Sequence, residues 1–401
     1  MQIPWGRATF SGPGWPFWRR QSSPTSLEKK LADSSVSDVT GHVKATFVVP
    51  YPEGRAPGQR FRFEQWLRLL PPGAVDARVL PLFSTEAYAH LYEPGGTLRK
   101  AGQTAGALAR RLLQIREARS SDVVFLYREA FPLGPALLER LLDGKVPLVF
   151  DFDDAIFLGE TSAANAVASR LKVPGKTAAI VASATVTTVG NEYLASYARQ
   201  FSSRVEVLPT TIDVDVYRPQ PREERELVRV GWSGSPTTSP HLRSIEGALR
   251  RLLDTLPIEL VVMGDPAFRL DGAPRVTVVP WSSDREIAEV GAFDIGLMPL
   301  PDDDWSRGKC GFKALLSMAL GVPPVVSPVG VNTDIVADGE NGLLASSEDE
   351  WVEAVGRLVQ DAGLRRRLGA AGRSTVVDRF SGQRWAPRFL EVLRQAADSR
   401  R

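Results

Sequence analysis

Nine short runs of β-branched and apolar residues, separated by longer amphipathic stretches, leave this chain few folds to choose from. The first series contains "VKATFVV", "DVVFLY", "VPLVFDF" and "ATVTTVG"; the second contains "VRVGWSG", "IELVVMG", "RVTVVP", "FDIGLMPL" and "VPPVVSP". Runs this short and this uniformly apolar read as strands buried on both faces, as in parallel sheets covered by helices. Helical periodicity falls near 60–70, 98–118 and 133–143 in the first series. In the second it falls near 239–255, 283–290, 309–320, 347–359 and 363–379. Two successive series of alternating strand and helix predict an α/β protein of two Rossmann-like, doubly wound domains. The expected boundaries are 41–210 and 211–380, with a hinge near the Pro- and charge-rich segment Leu208–Glu226. Residues 381–401 form a final helix with Trp385, Phe389 and Val392 on one stripe, expected to pack back on the first domain. Ligands of open α/β sheets bind beyond the carboxyl ends of the strands, so the site is expected on loops that follow strands, in a cleft between the domains.

Composition narrows the functional classes. The net charge of +2 gives no global sign of a nucleic-acid partner. The single cysteine, Cys310, excludes an internal disulfide and a cysteine-built zinc site, and three scattered histidines argue against a histidine metal centre. No apolar run reaches the roughly 20 residues that span a bilayer, which leads to the expectation of a cytoplasmic, reducing location. Residues 1–40 are dense in Pro, Gly, Ser and Trp, lack the apolar core of a signal peptide, and are expected to form a disordered leader. A Trp-rich anchor is the other reading of that segment.

"GKCGFKALLSMALGVPPVVSPVG", Gly308–Gly330, carries the sharpest chemical signal. Lys309, Lys313 and Ser317 recur every four residues and would share one face of a helix whose early turns hold two cations. Cations oppose the macrodipole at a helix N-terminus unless an anion sits there, so the lysines either meet an anionic ligand or extend to solvent. "GWSGSPTT" follows a strand and precedes a helix, where Gly234, Ser235 and Thr237 have amides and hydroxyls to offer a phosphate. Asp151, Asp153 and Asp154 end the strand "VPLVFDF", as a functional carboxylate cluster or as ordinary strand-end caps. Arg60 and Arg62 open the first helix, facing a phosphate, an anionic acceptor or only water; Tyr127–Glu129 end another strand. Gly330, Val331 and Asn332 lie on the loop after the last long strand, and the basic amphipathic helix 107–119 has either a solvated face or a peripheral membrane contact. No G-x-G-x-x-G follows an early strand with an acidic residue about 20 positions on, which disfavours a dinucleotide oxidoreductase.

"VGWSGSPTT", "FDIGLMPL", "FKALLSMALGVPPVVSPVGVNTDIVADGENGLL" and "RFSGQRWAPRFLEVL" together resemble the retaining family 4 glycosyltransferases of the GT-B fold. The resemblance implies transfer of a sugar from a nucleotide-diphosphate donor to a glycan or lipid-linked acceptor hydroxyl, with retention and with neither metal nor cofactor. It further implies an acceptor side in the first domain, a donor side in the second, and a role in cell-surface polysaccharide or glycolipid synthesis. Under it Lys309 and Lys313 neutralise the diphosphate, Trp281 packs the base, and Gly330, Val331 and Asn332 touch the hexose. Asp153 stands near the place of a cleft histidine. Two features depart from the family pattern. Lys309 and Ser317 stand where its paired glutamates are expected, and the "GWSGSPTT" loop lacks the usual Arg and Lys. A catalytically silent protein that binds sugar nucleotides or assembles with others is the alternative these departures suggest.

Overall fold

The computed structural model describes residues 42–91, 97–159, 173–221 and 225–399. In its first half β1 (Val43–Val49), β2 (Val75–Pro81), β3 (Val123–Tyr127), β4 (Leu148–Phe152), β5 (Val186–Val189) and β6 (Val205–Val207) form one sheet in the order β2-β1-β3-β4-β5-β6. The second half holds β7 (Val228–Ser233), β8 (Ile258–Met263), β9 (Val276–Val279), β10 (Ile295–Met298), β11 (Pro324–Val326) and β12 (Leu343–Leu344), in the order β12-β11-β10-β7-β8-β9. Every pairing in both sheets is parallel. Helices cover both faces of each sheet, which is why β3 and β4 are buried along their whole length.

Strand order fixes where a ligand can sit. The first sheet reverses direction between β1 and β3, and the second between β7 and β10. At such a switch point the flanking loops part and leave a crevice beyond the strand ends. The loops that follow β1, β3 and β4 therefore face those that follow β7 and β10.

The chain crosses between the halves twice, and the crossings pair with each other. Ile212 N donates to Phe380 O at 2.9 Å and Gly382 N to Ile212 O at 2.8 Å. Past the second crossing the helix Gly382–Asp398 lies on the first sheet, where Phe389 packs 5.0 Å from Trp66 and 5.4 Å from Phe125 between ring centroids. Its apolar stripe explains this return, since Phe389, Val392, Leu393 and Ala396 all need cover. No helix among the described residues is long and apolar enough to cross a membrane.

Candidate active site

The expected lysine helix is shorter than its periodicity suggested. It runs Phe312–Ala319, with Gly311 at its N-cap in a left-handed conformation of φ 70°. A side chain at Gly311 would also strike Ile335 at 2.1 Å, so only glycine fits. That break takes Lys309 off the helix, and Lys309, Lys313 and Ser317 do not form one face.

Released into the loop, Lys309 reaches across to the first half, where its Nζ lies 2.9 Å from Asp154 Oδ1 and 4.7 Å from the Trp305 ring. Asp154 also pairs with Arg128, whose guanidinium donates to Asp153 Oδ1 at 2.9 Å. Tyr127 Oη donates to the same Asp153 oxygen at 2.8 Å. Burial raises the Asp154 carboxyl, but Lys309 and Arg128 more than offset it and hold it below the usual carboxylate range. Arg128 achieves this reach with φ 59°, a conformation uncommon outside glycine, and its amide donates to Asp151 O at 2.7 Å. Among the described residues no group of three or more His, Cys, Asp or Glu side chains is arranged to hold a metal.

Small residues let the halves approach. A Cβ at Gly308 would lie 2.8 Å from that of Ala155, and one at Gly190 would lie 2.2 Å from Cys310 Sγ. Asn191 fastens the joint: its Oδ1 caps the helix Glu192–Ala198 by accepting from Leu194 N, while its Nδ2 donates to Lys309 O at 2.9 Å and Gly308 O at 3.2 Å. Cys310 is no nucleophile, because burial and then Asp153 push its thiol up, and it donates to Asp153 O at 3.1 Å.

On the second half, Lys313 Nζ lies 5.5 Å above the Trp232 ring. Burial and then Lys309 lower its amine to about 8. His241, in the short helix that follows the β7 loop, is pushed down to about 4 by burial and then by Lys313 and Lys309. Three basic groups thus converge beyond β7 and β10. His241 was not singled out from the sequence; its place just after "GWSGSPTT" was the available signal, but spacing alone does not show burial beside two lysines. In that loop Ser235 and Thr237 are exposed and bond each other through their hydroxyls at 2.8 Å. Gly234 extends the β7–β8 pairing, its amide donating to Met263 O at 2.9 Å, and the Thr238 amide closes the turn on Ser235 O at 2.9 Å.

A second junction lies beside the first crossing. Arg60 Nη2 donates to Glu286 Oε2 at 2.9 Å and to Tyr217 Oη at 2.8 Å. Trp281 Nε1 donates to Glu286 Oε1 at 2.9 Å, with the Arg60 guanidinium 5.7 Å from the Trp281 ring. Arg60 Nη1 is buried with no protein partner.

Three expected substrate contacts are corrected. Arg62 is fully buried: its Nε and Nη2 donate to the two oxygens of Asp151, which Thr188 also bonds, and its Nη1 donates to Leu208 O, so it pins the helix to β4 and is closed to a phosphate. Ser317 is buried against β10, where a Cβ at Gly296 would lie 2.4 Å from its Oγ; it cannot face a ribose. Asn332 is fully buried, and its Nδ2 donates to Ser327 O at 3.0 Å, so it shapes the loop from beneath. Gly330 has φ 56° and lies against the Arg307 backbone, with half-buried Val331 beside Gly311.

Comparison with known proteins agrees with this architecture. Residues 238–361 match the family model described as Glycosyl transferases group 1. The chain is 29% identical over 231 residues to the D-inositol 3-phosphate glycosyltransferase of a Nocardioides species, covering 48% of this chain and 49% of that protein. It is 30% identical over 241 residues to the same enzyme of Stackebrandtia nassauensis, covering 52% and 53%. The chain thus spans about half the length of the curated relatives it matches. Among solved structures, sucrose-phosphate synthase from Thermosynechococcus elongatus matches with a TM-score of 0.67 at 15% identity, over 89% of this chain and 100% of that one. HepE from Anabaena, solved with UDP and glucose, matches with a TM-score of 0.62 at 14% identity, over 88% and 99%. The fold is GT-B, two parallel-sheet halves that face each other at their strand ends.

Proposed function

We propose that the protein is a retaining glycosyltransferase that takes a sugar from a nucleotide-diphosphate donor. The observation that carries this reading is the convergence of Lys309, Lys313 and His241 at the second switch point, opposite Asp153, Asp154 and Arg128 at the end of the first sheet. A diphosphate leaving group gains charge as the glycosidic bond breaks, and preorganised cations stabilise that charge without reorganising. Lys309 and Lys313 supply it here in place of a metal. Trp281 and Arg60 flank the base or ribose, with Arg60 Nη1 as the unused donor. Asp153, whose Oδ1 is held by Tyr127 and Arg128, orients the acceptor hydroxyl or stabilises positive charge on the sugar ring. Transfer then follows a front-face displacement, in which the departing phosphate assists deprotonation of the acceptor. The acceptor is a glycan or a lipid-linked glycan on the cytoplasmic side of a membrane, in cell-surface polysaccharide or glycolipid synthesis.

A melting-temperature screen against nucleoside diphosphates and their sugars tests the donor, since a ligand that binds the folded state alone raises the midpoint. We expect at least one such compound to stabilise the wild type, and Lys309→Ala with Lys313→Ala to abolish the shift. Stabilisation that survives the double substitution would remove the lysines from the site, and no response to any of the compounds would remove the function. The silent-protein reading is favoured by one observation: Ser317, where the resemblance expects a carboxylate, is buried on β10. Binding without release of nucleoside diphosphate from any donor, with or without acceptor, would support it.

A further inference from the structure

The turn that follows β3 is held from three sides. Ala130 N donates to Glu139 Oε1 at 3.0 Å, Ala130 O accepts from Arg111 Nε at 2.8 Å, and Phe131 O accepts from Lys176 Nζ. Each of these side chains comes from a different helix: Arg111 from Thr97–Ala118, Glu139 from Leu137–Arg140 and Lys176 from Lys176–Ser183. Arg111, Glu139 and Lys176 are exposed by only 0%, 1% and 5%, so three charges enter the interior to meet one turn. They also face one another. Lys176 Nζ lies 3.6 Å from Glu139 Oε1 and 3.9 Å from Glu129 Oε1, and burial pushes the Arg111 guanidinium down to about 9 against the opposing charge of Glu139. Lys176 is the first residue of its helix, where the macrodipole disfavours a cation, so its own helix gives no reason for it. Desolvating charges offsets most of what pairing them contributes, and what such a buried network can do is specify one geometry. The residue that opens this turn is Arg128, with φ 59° and a guanidinium 2.9 Å from Asp153 and 2.5 Å from Asp154.

We propose that Glu139 and Lys176 are positioning residues of the cleft, which act through Arg128 on the two carboxylates at the end of β4. Clamped at Ala130 and Phe131, the turn cannot relax, and Arg128 keeps a left-handed backbone that residues other than glycine rarely adopt. In that pose one guanidinium serves both Asp153 and Asp154. Arg111 adds a tie to the ends of the first two strands, donating to Val49 O at 2.6 Å and Leu80 O at 2.8 Å. With the clamp loosened, Arg128 would return to a commoner conformation and withdraw from Asp154, which would then share its charge with Lys309 alone. This geometry is independent of the transferase reading. Only its consequence rests on that reading: the clamp would present Asp153 to an acceptor in one orientation.

The test follows the Asp154 carboxyl by carbon-13 NMR in the full chain, its signal assigned by its loss in Asp154→Asn. In the wild type this group titrates below the usual carboxylate range. Lys176→Met should raise the midpoint by about one pH unit, a tenfold change in proton affinity, and Lys176→Arg should leave it in place. Glu139→Ala should raise it similarly, and Glu139→Gln, which keeps an acceptor for the Ala130 amide, should move it less than about half as far. In an Arg128→Met background Lys176→Met should move the midpoint no further, because the path runs through Arg128. An unmoved midpoint in folded Lys176→Met overturns the proposal, as does an equal shift in both backgrounds. Where Lys176→Met does not fold, hydrogen exchange of the wild type decides. The Arg128 and Ala130 amides should then exchange at least about a hundredfold more slowly than those of an unstructured chain, and unprotected exchange at both overturns the proposal.

Discussion

Asp154→Asn is the perturbation whose outcome follows most directly from the geometry. In the ligand-free protein Asp154 occupies Lys309 at 2.9 Å, with side chains 18% and 20% exposed. Unit charges about 4 Å apart interact by about 4 kcal/mol at an effective dielectric of 20 and by about 1 kcal/mol in water. For a pair that water reaches, a net value near 1 kcal/mol is reasonable, which corresponds to about fivefold in affinity. An incoming diphosphate must displace this carboxylate or share the lysine with it. We therefore expect Asp154→Asn to tighten binding of UDP, and of inorganic pyrophosphate as a base-free control, by about five- to tenfold in isothermal titration calorimetry. Arg128 keeps Asp153 as a partner, so the fold should persist. In a Lys309→Ala background the gain should shrink to about twofold, the residue of simple charge repulsion. An unchanged or weaker affinity in Asp154→Asn, or an equal gain in both backgrounds, would refute the idea that Asp154 holds Lys309 in place of the ligand.

Other expectations follow from the same structure. Lys313, at about 8, loses its charge in mildly alkaline solution, so pyrophosphate affinity should fall by up to tenfold per pH unit above 8, and Lys313→Met should flatten that profile. Its effect on folding has the opposite sign. The unfolded chain holds the proton up to about 10.5, so relative to Lys313→Met the wild type should gain stability between pH 8 and 10.5 in urea titrations. His241, pushed down to about 4, should cost stability as pH falls from 6.5 toward 4, and His241→Gln should remove that loss. Arg62→Met strands the Asp151 carboxylate in the core and should cost about 3–5 kcal/mol by urea denaturation, with Arg60→Ala costing less because Tyr217 and Trp281 still bond Glu286.

Much of the architecture was legible because buried parallel strands write themselves as apolar runs. β2 escaped notice because "VDARVLP" places Asp76, Ala77 and Arg78 toward solvent, and β6 because three residues give no period. At the site, residue types were easier to read than their neighbours. Lys309, Lys313 and Asp153 all lie by the cleft, yet the partner that organises Lys309 is 155 positions away, a distance no local pattern encodes. Arg128 looked ordinary because its left-handed backbone is a tertiary outcome. Ser317 and Asn332 were misplaced because a polar side chain in a helix or loop can be satisfied from within, and periodicity does not tell which side faces the sheet.

The first helix carries one more consequence. Arg60–Glu64 is a π-turn, and within it Arg60 binds the second half through Glu286 while Arg62, two residues on, is locked to β4 of the first. Any swing of one half away from the other must part the Arg60 contact and spare the Arg62 contact. The line along which the halves would part therefore passes through this turn, between two arginines separated by one residue, as well as through the Lys309–Asp154 junction.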